Sequence, residues 1–420
     1  MDAPPTAPFG SRGMAERVVR PRRRLRAGLA QLVCAGLGRV LGLLLPRIDG
    51  GWRVDATRAT EVLLSVGPAI VGVTSVIFSL PFLVVQWAAG NFTPRLALFR
   101  TDPMVWRTFA FVMGLLVYTT TATLAIGAKS EVSVWVPVTT VVLTVITLSL
   151  VRNLQLRAFQ SIQLAHVLAT TTERAHKVID AFYPDTTHKA GTTEAGVTPP
   201  LPQLRATVSW PGTTTTVEQL DILGLTNAAT RADAVVVMRV QVGSTIQRGT
   251  RIADIRGGDL PEAEVVRAIV AGQERTFHQD PLFALRLLAD IGLRALSPAV
   301  NDPATAVQVL DALEGLLGRL TTDSLDAGSV TDDKDAVRVV LRMPAWTEFV
   351  RISLDDLFAA ATKSPMVLLR TRRMLLALLD VAQVPDRRVP LTSRLRWVEQ
   401  ELTDRFPLYW QEAVAEAPTM

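Results

Sequence analysis

VLLSVGPAIVGVTSVIFSLPFLVVQWAAG, from Val62 to Gly90, contains no charged side chain. A bilayer hydrocarbon core is about 30 Å thick and is crossed by roughly 20 apolar residues in a helix, so a run of this length reads as a membrane span. The pattern recurs at Thr108–Ala128 and Val132–Val151, again without a charge. Beyond residue 152 the composition changes and charged residues return at ordinary frequency. The expected fold class is an α-helical membrane region of about four transmembrane helices, followed by a C-terminal α+β soluble domain with a small β-module and a helical bundle.

The fourth span is Ala27–Pro46, AGLAQLVCAGLGRVLGLLLP, which follows the basic residues Arg20, Arg22, Arg23, Arg24 and Arg26 and carries Arg39 near its middle. A central arginine costs roughly 2.5–3.5 kcal/mol on insertion scales, so the segment either spans with Arg39 facing a partner helix or lies on the surface as an amphipathic anchor. A secretory signal is the rival reading, but no small-residue cleavage site follows. Gly36, Gly38 and Gly42 are small residues of the kind that permit helix packing. With four spans, the basic tail shares a side with Arg95, Arg100, Arg107, Arg152 and Arg157, opposite Arg47, Arg53, Arg58 and Lys129. The positive-inside rule then places both termini, and the soluble domain, on the cytoplasmic side of the plasma membrane. A three-span arrangement satisfies the rule as well, with the tail joining the second group.

The net charge of +5 and pI of about 9.8 come largely from the N-terminal tail. Basic residues beside an apolar segment face anionic lipid, and the soluble half has no basic stripe interleaved with aromatics, which argues against nucleic acid. Cys34 is the only cysteine, which excludes an internal disulfide or a thiolate metal cluster. His166, His176, His188 and His278 show no metal-ligand spacing. No cofactor is implied: the lipoyl-like rhythm of Gly243–Ala253 lacks a carrier lysine, since none occurs between Lys189 and Lys334. Nucleophile-elbow, phosphate-loop and dinucleotide fingerprints are also missing from the sequence.

The resulting segmentation is a basic tail (1–26), a membrane region (27–152, with spans at 27–46, 62–90, 108–128 and 132–151), a helix projecting from the membrane (153–185), a Thr/Gly/Pro-rich linker (186–203), a β-module (204–257) and a helical domain (261–410). Later helices are expected at 347–362, 365–383 and 392–406, with Ser364 and Leu391–Thr392 at caps. A strand, VRVVLRM, ends at Met343. In the membrane the polar groups include Ser79, Gln86 and Thr119–Thr121. Gln86 is the one expected at a helix–helix contact.

The densest polar patterning lies in GQERTFHQDPLFALRLLADIGLRALSPAVNDPATAVQVLD, Gly272–Asp311. Asp280-Pro281 and Asp302-Pro303 each read as an N-cap carboxylate with proline at the first helical position. Arg286, Asp290 and Arg294 recur at i, i+4 and i+8 on one helix face, either as a solvated stripe or as a buried network that orients the next loop. In that loop Ser297, Asn301, Asp302 and Thr305 suit an anion, a metal or a partner's backbone, and equally suit a tight turn. The turn chemistry accounts for every residue type. Arg275, Thr276 and Gln279 enter the first cap. Arg275 suits a phosphate or carboxylate, or an ion pair with Asp302 or Asp311 across the hairpin. His278 with Asp302 or Asp311 is the weakest reading, an acid–base set.

Phe78-Ser79-Leu80 with Gln86, Phe92-Thr93-Pro94-Arg95, Tyr118, Ser161-Ile162-Gln163 and above all Arg275-Thr276, Gln279-Asp280-Pro281, Arg294-Ala295-Leu296-Ser297-Pro298 and Asn301-Asp302-Pro303 make a recognisable set. In these residues the chain resembles the bacterial predicted membrane proteins grouped as domain of unknown function 2254. That resemblance runs from the first apolar segment to about Phe406 and implies about four spans with a soluble C-terminal domain, and no known activity. The chain departs from the pattern in its glycine-rich, Arg39-bearing first segment, at Thr93 and at Ala304. The expected function is that of a non-enzymatic, homo-oligomeric membrane protein in the lipid bilayer. Its soluble domain senses or gates through the Arg275–Asp311 hairpin, a pore being one form. The alternative is a tethered module binding an anionic ligand or protein partner.

Overall fold

The computed structural model describes residues 23–48, 52–91, 103–127, 129–160, 163–183, 201–322, 325 and 328–415. The chain forms two compact units that meet in sequence between Val167 and Leu168.

In the first unit α1 (Arg23–Leu44) ends in a 3-10 turn, and β1 (Arg53–Asp55) leads into α2 (Ala56–Asn91), α3 (Pro103–Ile126), β2 (Glu131–Ser133) and α4 (Trp135–Gln160). Among the described residues four stretches are long and apolar enough to cross a bilayer: Gly28–Arg47, Ala56–Ser75, Met104–Ile126 and Trp135–Arg157. The first segment thus qualifies with Arg39 inside it. Arg39 lies on the exposed face of α1, among Leu37 and Val40.

Strands β1 and β2 pair antiparallel with Val54 opposite Val132, and Lys129 Nζ donates to the Pro46 carbonyl at 2.8 Å. The α1–α2 and α3–α4 connections are therefore tied together at one end, so the helices alternate in direction. Small residues set the α1–α3 contact. A Cβ at Gly38 would collide with the Gly114 carbonyl, and one at Gly114 would stand 2.9 Å from the Cys34 carbonyl, whereas Gly36 faces open space. In lipid no hydrophobic force drives helices together, and close backbone approach through glycine supplies the packing instead.

Tyr118 sits at the centre of this unit, fully buried among Leu63, Leu115, Ala122 and Val136. Its hydroxyl donates to the Val136 carbonyl at 2.9 Å. The hydroxyls of Thr120, Thr140 and Thr147 donate back to the carbonyls of Leu116, Val136 and Leu143 in their own helices, a local bond that removes the cost of a polar group in an apolar medium. Gln86, expected at a helix–helix contact, is exposed on the single chain. Helix α2 has 36 residues, about 54 Å at 1.5 Å per residue. Its described buried positions include Leu63, Ile70 and Thr74.

The second unit begins within α5 (Leu164–Phe182). Sequence periodicity predicts one continuous helix leaving the membrane over 153–185. Two helices are described there, α4 to Gln160 and α5 from Leu164, with the non-helical Gln163 before the second; residues 161–162 lie outside the described residues. From Leu168 onward α5 packs into the soluble core, burying Leu168, Ala175, Ile179 and Tyr183. Its apolar stripe demands such a partner. The Tyr183 ring meets Phe349 edge-on at 6.0 Å, and Asp180 pairs with Arg319.

There follow β3 (Leu204–Ser209), β4 (Thr215–Leu220), α6 (Ile222–Arg231), β5 (Ala234–Met238), β6 (Thr245–Ile246), β7 (Arg251–Gly257), α7 (Glu262–Ala268), β8 (Ile269–Gly272), α8 (Pro281–Ala295), α9 (Pro303–Thr322), β9 (Ser329–Thr331) and β10 (Val337–Val340). Then come α10 (Trp346–Val350), a π-helical turn, α11 (Asp356–Ala361), α12 (Pro365–Val381), α13 (Pro385–Arg405) and α14 (Pro407–Ala415). One sheet has the order β3-β7-β5-β10-β9 and a second the order β6-β4-β8.

The β-part is thus not confined to 204–257. Strand β5, AVVVM, is buried at every residue, so both faces of the sheet are covered there, and both its edges are paired as well. Strand β7 covers one edge and β10, arriving from beyond the helical hairpin, pairs parallel with the other. Strand β8 likewise lies in a stretch whose periodicity reads as helical, and joins β4. Helix α13 starts at Pro385, not at Thr392, and carries Pro390 within it.

Replacing Gly38 with valine is expected to separate α1 from α3, at the 1–3 kcal/mol typical of overpacking. Maleimide labelling of Cys34 during a thermal ramp checks this: the labelling temperature drops for Gly38→Val and holds for Gly36→Ala.

Candidate functional site

The site is built around the start of α8. Asp280 is its N-cap, accepting from the Leu282 amide at 3.2 Å, with Pro281 at the first helical position. Its carboxylate is 1% exposed. Arg275 closes on it with both arms, Nε to Oδ2 at 2.7 Å and Nη2 to Oδ1 at 2.8 Å, and lies over the Phe283 ring at 5.5 Å. Burial pushes the Asp280 carboxyl above its ordinary pKa against the pull of Arg275. The β5–β6 connection seals the pair. Gly243, at φ +87°, comes so close that a Cβ there would overlap Asp280 Oδ2 and stand 2.8 Å from Arg275 Nε.

Gln279 lies alongside β4. Its Oε1 accepts from the Leu220 amide at 2.7 Å and its Nε2 donates to the Leu220 carbonyl at 3.1 Å, so a side-chain amide takes the place of a neighbouring strand. Thr276 adds a hydroxyl bond to the Glu218 carbonyl at 3.3 Å. Phe277 meets Phe283 at 4.8 Å with the two rings tilted, and Arg174 of α5 lies over the Phe277 ring at 5.1 Å. The run Arg275–Asp280 is therefore a clamp that fixes the helical hairpin to the β4–β8 sheet.

At the other end of α8 the turn closes on itself. Ser297 Oγ donates to the Arg294 carbonyl at 2.7 Å, and the Asn301 amide donates to the Ser297 carbonyl at 2.9 Å. Asn301 takes the left-handed conformation, φ +49°, which asparagine tolerates better than most residues. Asp302 accepts from the Thr305 hydroxyl at 2.6 Å and the Thr305 amide at 3.1 Å, which hold its carboxyl below the ordinary range.

The charge ladder is a mixture of the two readings. Arg286 pairs with Asp290 at 2.8 Å and reaches across to Asp356 of α11 at 2.7 Å, while Arg294 is exposed. Asp311 pairs with Arg370 of α12 at 2.6 Å, and Glu314 takes the other arm. Arg275 thus bonds neither Asp302 nor Asp311: a carboxylate five residues away is already buried and oriented. His278 and Asp302 stand at opposite ends of a 15-residue helix, about 22 Å long. Among the described residues no three His, Cys, Asp or Glu side chains are grouped to hold a metal ion.

Two hollows border these elements. A cavity of about 20 Å³ lies between Leu220, Gln241, Gln279 and Leu341, room for one water molecule. An open groove of about 450 Å³ runs between α9 and α12, with Asp311, Glu314 and Arg370 on its wall. Sequence reading overlooked Gly243, Leu220 and Arg370, the receiving halves of these contacts. A glycine in a short turn was the available signal for the first.

A family model described as "Predicted membrane protein (DUF2254)" matches residues 27–377. The chain belongs to this family. The match takes in the four apolar helices, the clamp and the hairpin turn, and it makes the chain a predicted membrane protein. Uncharacterised proteins of Mycobacterium bovis and Mycobacterium tuberculosis are each 26% identical over 386 residues, covering 87% of this chain and 74% of theirs. No solved structure matches.

For this DUF2254 chain, Arg275→Ala strands a buried carboxylate and is expected to destabilise the soluble unit by about 3–5 kcal/mol. Adding Asp280→Asn should recover part of the loss. Chemical denaturation of the single and double variants measures both.

The Asp302 cap has a depressed folded pKa, so its stabilisation is full above the unfolded pKa and disappears as pH falls through the folded one. Asp302→Asn keeps a capping oxygen without the titration. Its melting temperature should match wild type at acidic pH and fall slightly below it at neutral pH.

Proposed function

We propose that the protein is a non-enzymatic integral membrane protein of the bacterial plasma membrane, whose cytoplasmic soluble domain senses a signal and gates an oligomeric membrane region. One observation carries this reading. The polar groups of the clamp and turn are spent on one another and on the β4 backbone, which leaves a rigid joint between sheet and helices and no nucleophile beside a base. Such a joint transmits displacement of one layer to the other.

The oligomer is supported by Gln86, a polar side chain on an apolar helix that is exposed on the single chain. A polar group in hydrocarbon is stabilised by a partner helix. The side of the membrane follows from the arginine distribution read with four spans. A binding or scaffolding role is the second reading, favoured by the open groove between α9 and α12 and by Val381 on its wall, 42% exposed.

With Cys34 replaced by alanine, Gln86→Cys is expected to form a disulfide-linked dimer on mild oxidation of native membranes. Purely monomeric protein would count against the oligomer. In reconstituted bilayers the same protein should conduct, and silence across voltage and tension would overturn gating of a pore. A phosphatase fused after Met420 should be inactive, since an active fusion would place the domain outside.

A further inference from the structure

We infer that the soluble domain binds a phosphate-type oxyanion at a cluster of three arginines, Arg239, Arg251 and Arg342, on one end of the five-stranded sheet. Strands β5 and β10 run parallel, with Val339 beside Val236 and Val340 beside Val237. Two residues further on, the same register brings Arg342 beside Arg239, and Arg342 Nη1 donates to the Arg239 carbonyl at 3.0 Å. On the other side β7 starts at Arg251, antiparallel to β5. Three adjacent central strands thus deliver three guanidinium groups to one edge.

Among the described residues a single carboxylate, Asp254, pairs with Arg239 and Arg251. It is fully buried and accepts from Arg239 Nε at 2.8 Å and Arg251 Nε at 2.7 Å. Burial raises its pKa, but the hydrogen bonds from Arg251 and Arg239 outweigh that and hold it below the ordinary range, so it stays ionised. The cluster therefore carries three positive charges against one negative. Among the described residues Arg342 is held through a backbone carbonyl, which neutralises nothing. Glu348, the next acid along the adjoining chain, accepts from Gln241 Nε2 at 3.2 Å.

The side chains of Arg239 and Arg251 are 43% and 49% exposed, and Arg342 is exposed too. Asp254 occupies the inner edges of the first two and orients them, leaving their outer N–H groups to solvent. Three oriented forks around a net charge of two fit the tetrahedral oxygens of a phosphate monoester, which guanidinium recognises with paired hydrogen bonds. The same chemistry belongs to free phosphate and to a phosphomonoester lipid headgroup. The inference stands apart from the gating reading, because it rests on residues outside the clamp.

The test is isothermal titration of the full chain, held in phosphatidylcholine nanodiscs, with inorganic phosphate and separately with a short-chain, water-soluble phosphatidic acid, in chloride of matched ionic strength. Saturable binding of at least one is expected. Arg342→Gln and Arg251→Gln should each weaken it roughly tenfold, as loss of a charge-assisted hydrogen bond requires, and Arg231→Gln on α6 should leave it unchanged. Preference for the lipid identifies a headgroup and preference for phosphate a soluble ligand, and either supports the site. Absence of saturable binding in wild type overturns it, as does undiminished binding in Arg342→Gln, whose removal spares the Asp254 pairs and so the fold.

Discussion

The buried ion pair between Arg275 and Asp280 is the constraint on which the soluble unit is organised. A carboxylate with 1% exposure is tolerable only with its charge matched and its lone pairs filled. Arg275, the Leu282 amide and the close passage of Gly243 meet those demands together. Because Gly243 belongs to the sheet side and Asp280 opens α8, satisfying the carboxylate also fixes where the helical hairpin stands. Gln279 then completes the hydrogen bonding of Leu220 from the same segment. A domain is stable by only about 5–15 kcal/mol, so one such joint is a large share of the margin.

The membrane unit is governed by different physics. With lipid on the outside, burial of apolar area distinguishes nothing, and the helices are positioned by how closely backbones can approach and by where hydroxyls find acceptors. Gly38, Gly42 and Gly114 serve the first purpose at the α1–α3 contact. Tyr118, bonded to the Val136 carbonyl, serves the second. The β1–β2 ribbon adds a polar tie at one end, where water returns and strand pairing becomes affordable.

Charge is distributed by the same logic. Carboxylates of the soluble unit are matched by nearby arginines, as Asp280 by Arg275 and Asp311 by Arg370, or held by hydrogen bonds, as Asp302 by Thr305. At Arg239, Arg251 and Arg342 the matching is incomplete, since one buried carboxylate faces three guanidinium groups. That imbalance is what separates a candidate ligand site from the framework around it.

Membrane helices, caps and the hairpin turn were legible in the chain, because each rests on neighbours in sequence: uncharged runs at Val62–Gly90, Thr108–Ala128 and Val132–Val151, Asp-Pro steps at 280 and 302, and turn formers at Ser297 and Asn301. The partners were not. That Arg275 chooses Asp280 over Asp302 or Asp311, that Gln279 completes β4, and that β10 returns to pair with β5 depend on packing across separations no periodicity encodes. Sequence by itself determined which segments must leave water and where helices start, since hydropathy and capping are local free energies. Only the tertiary structure decided which polar groups meet, because a buried charge is satisfied by whatever the whole fold brings within hydrogen-bonding distance.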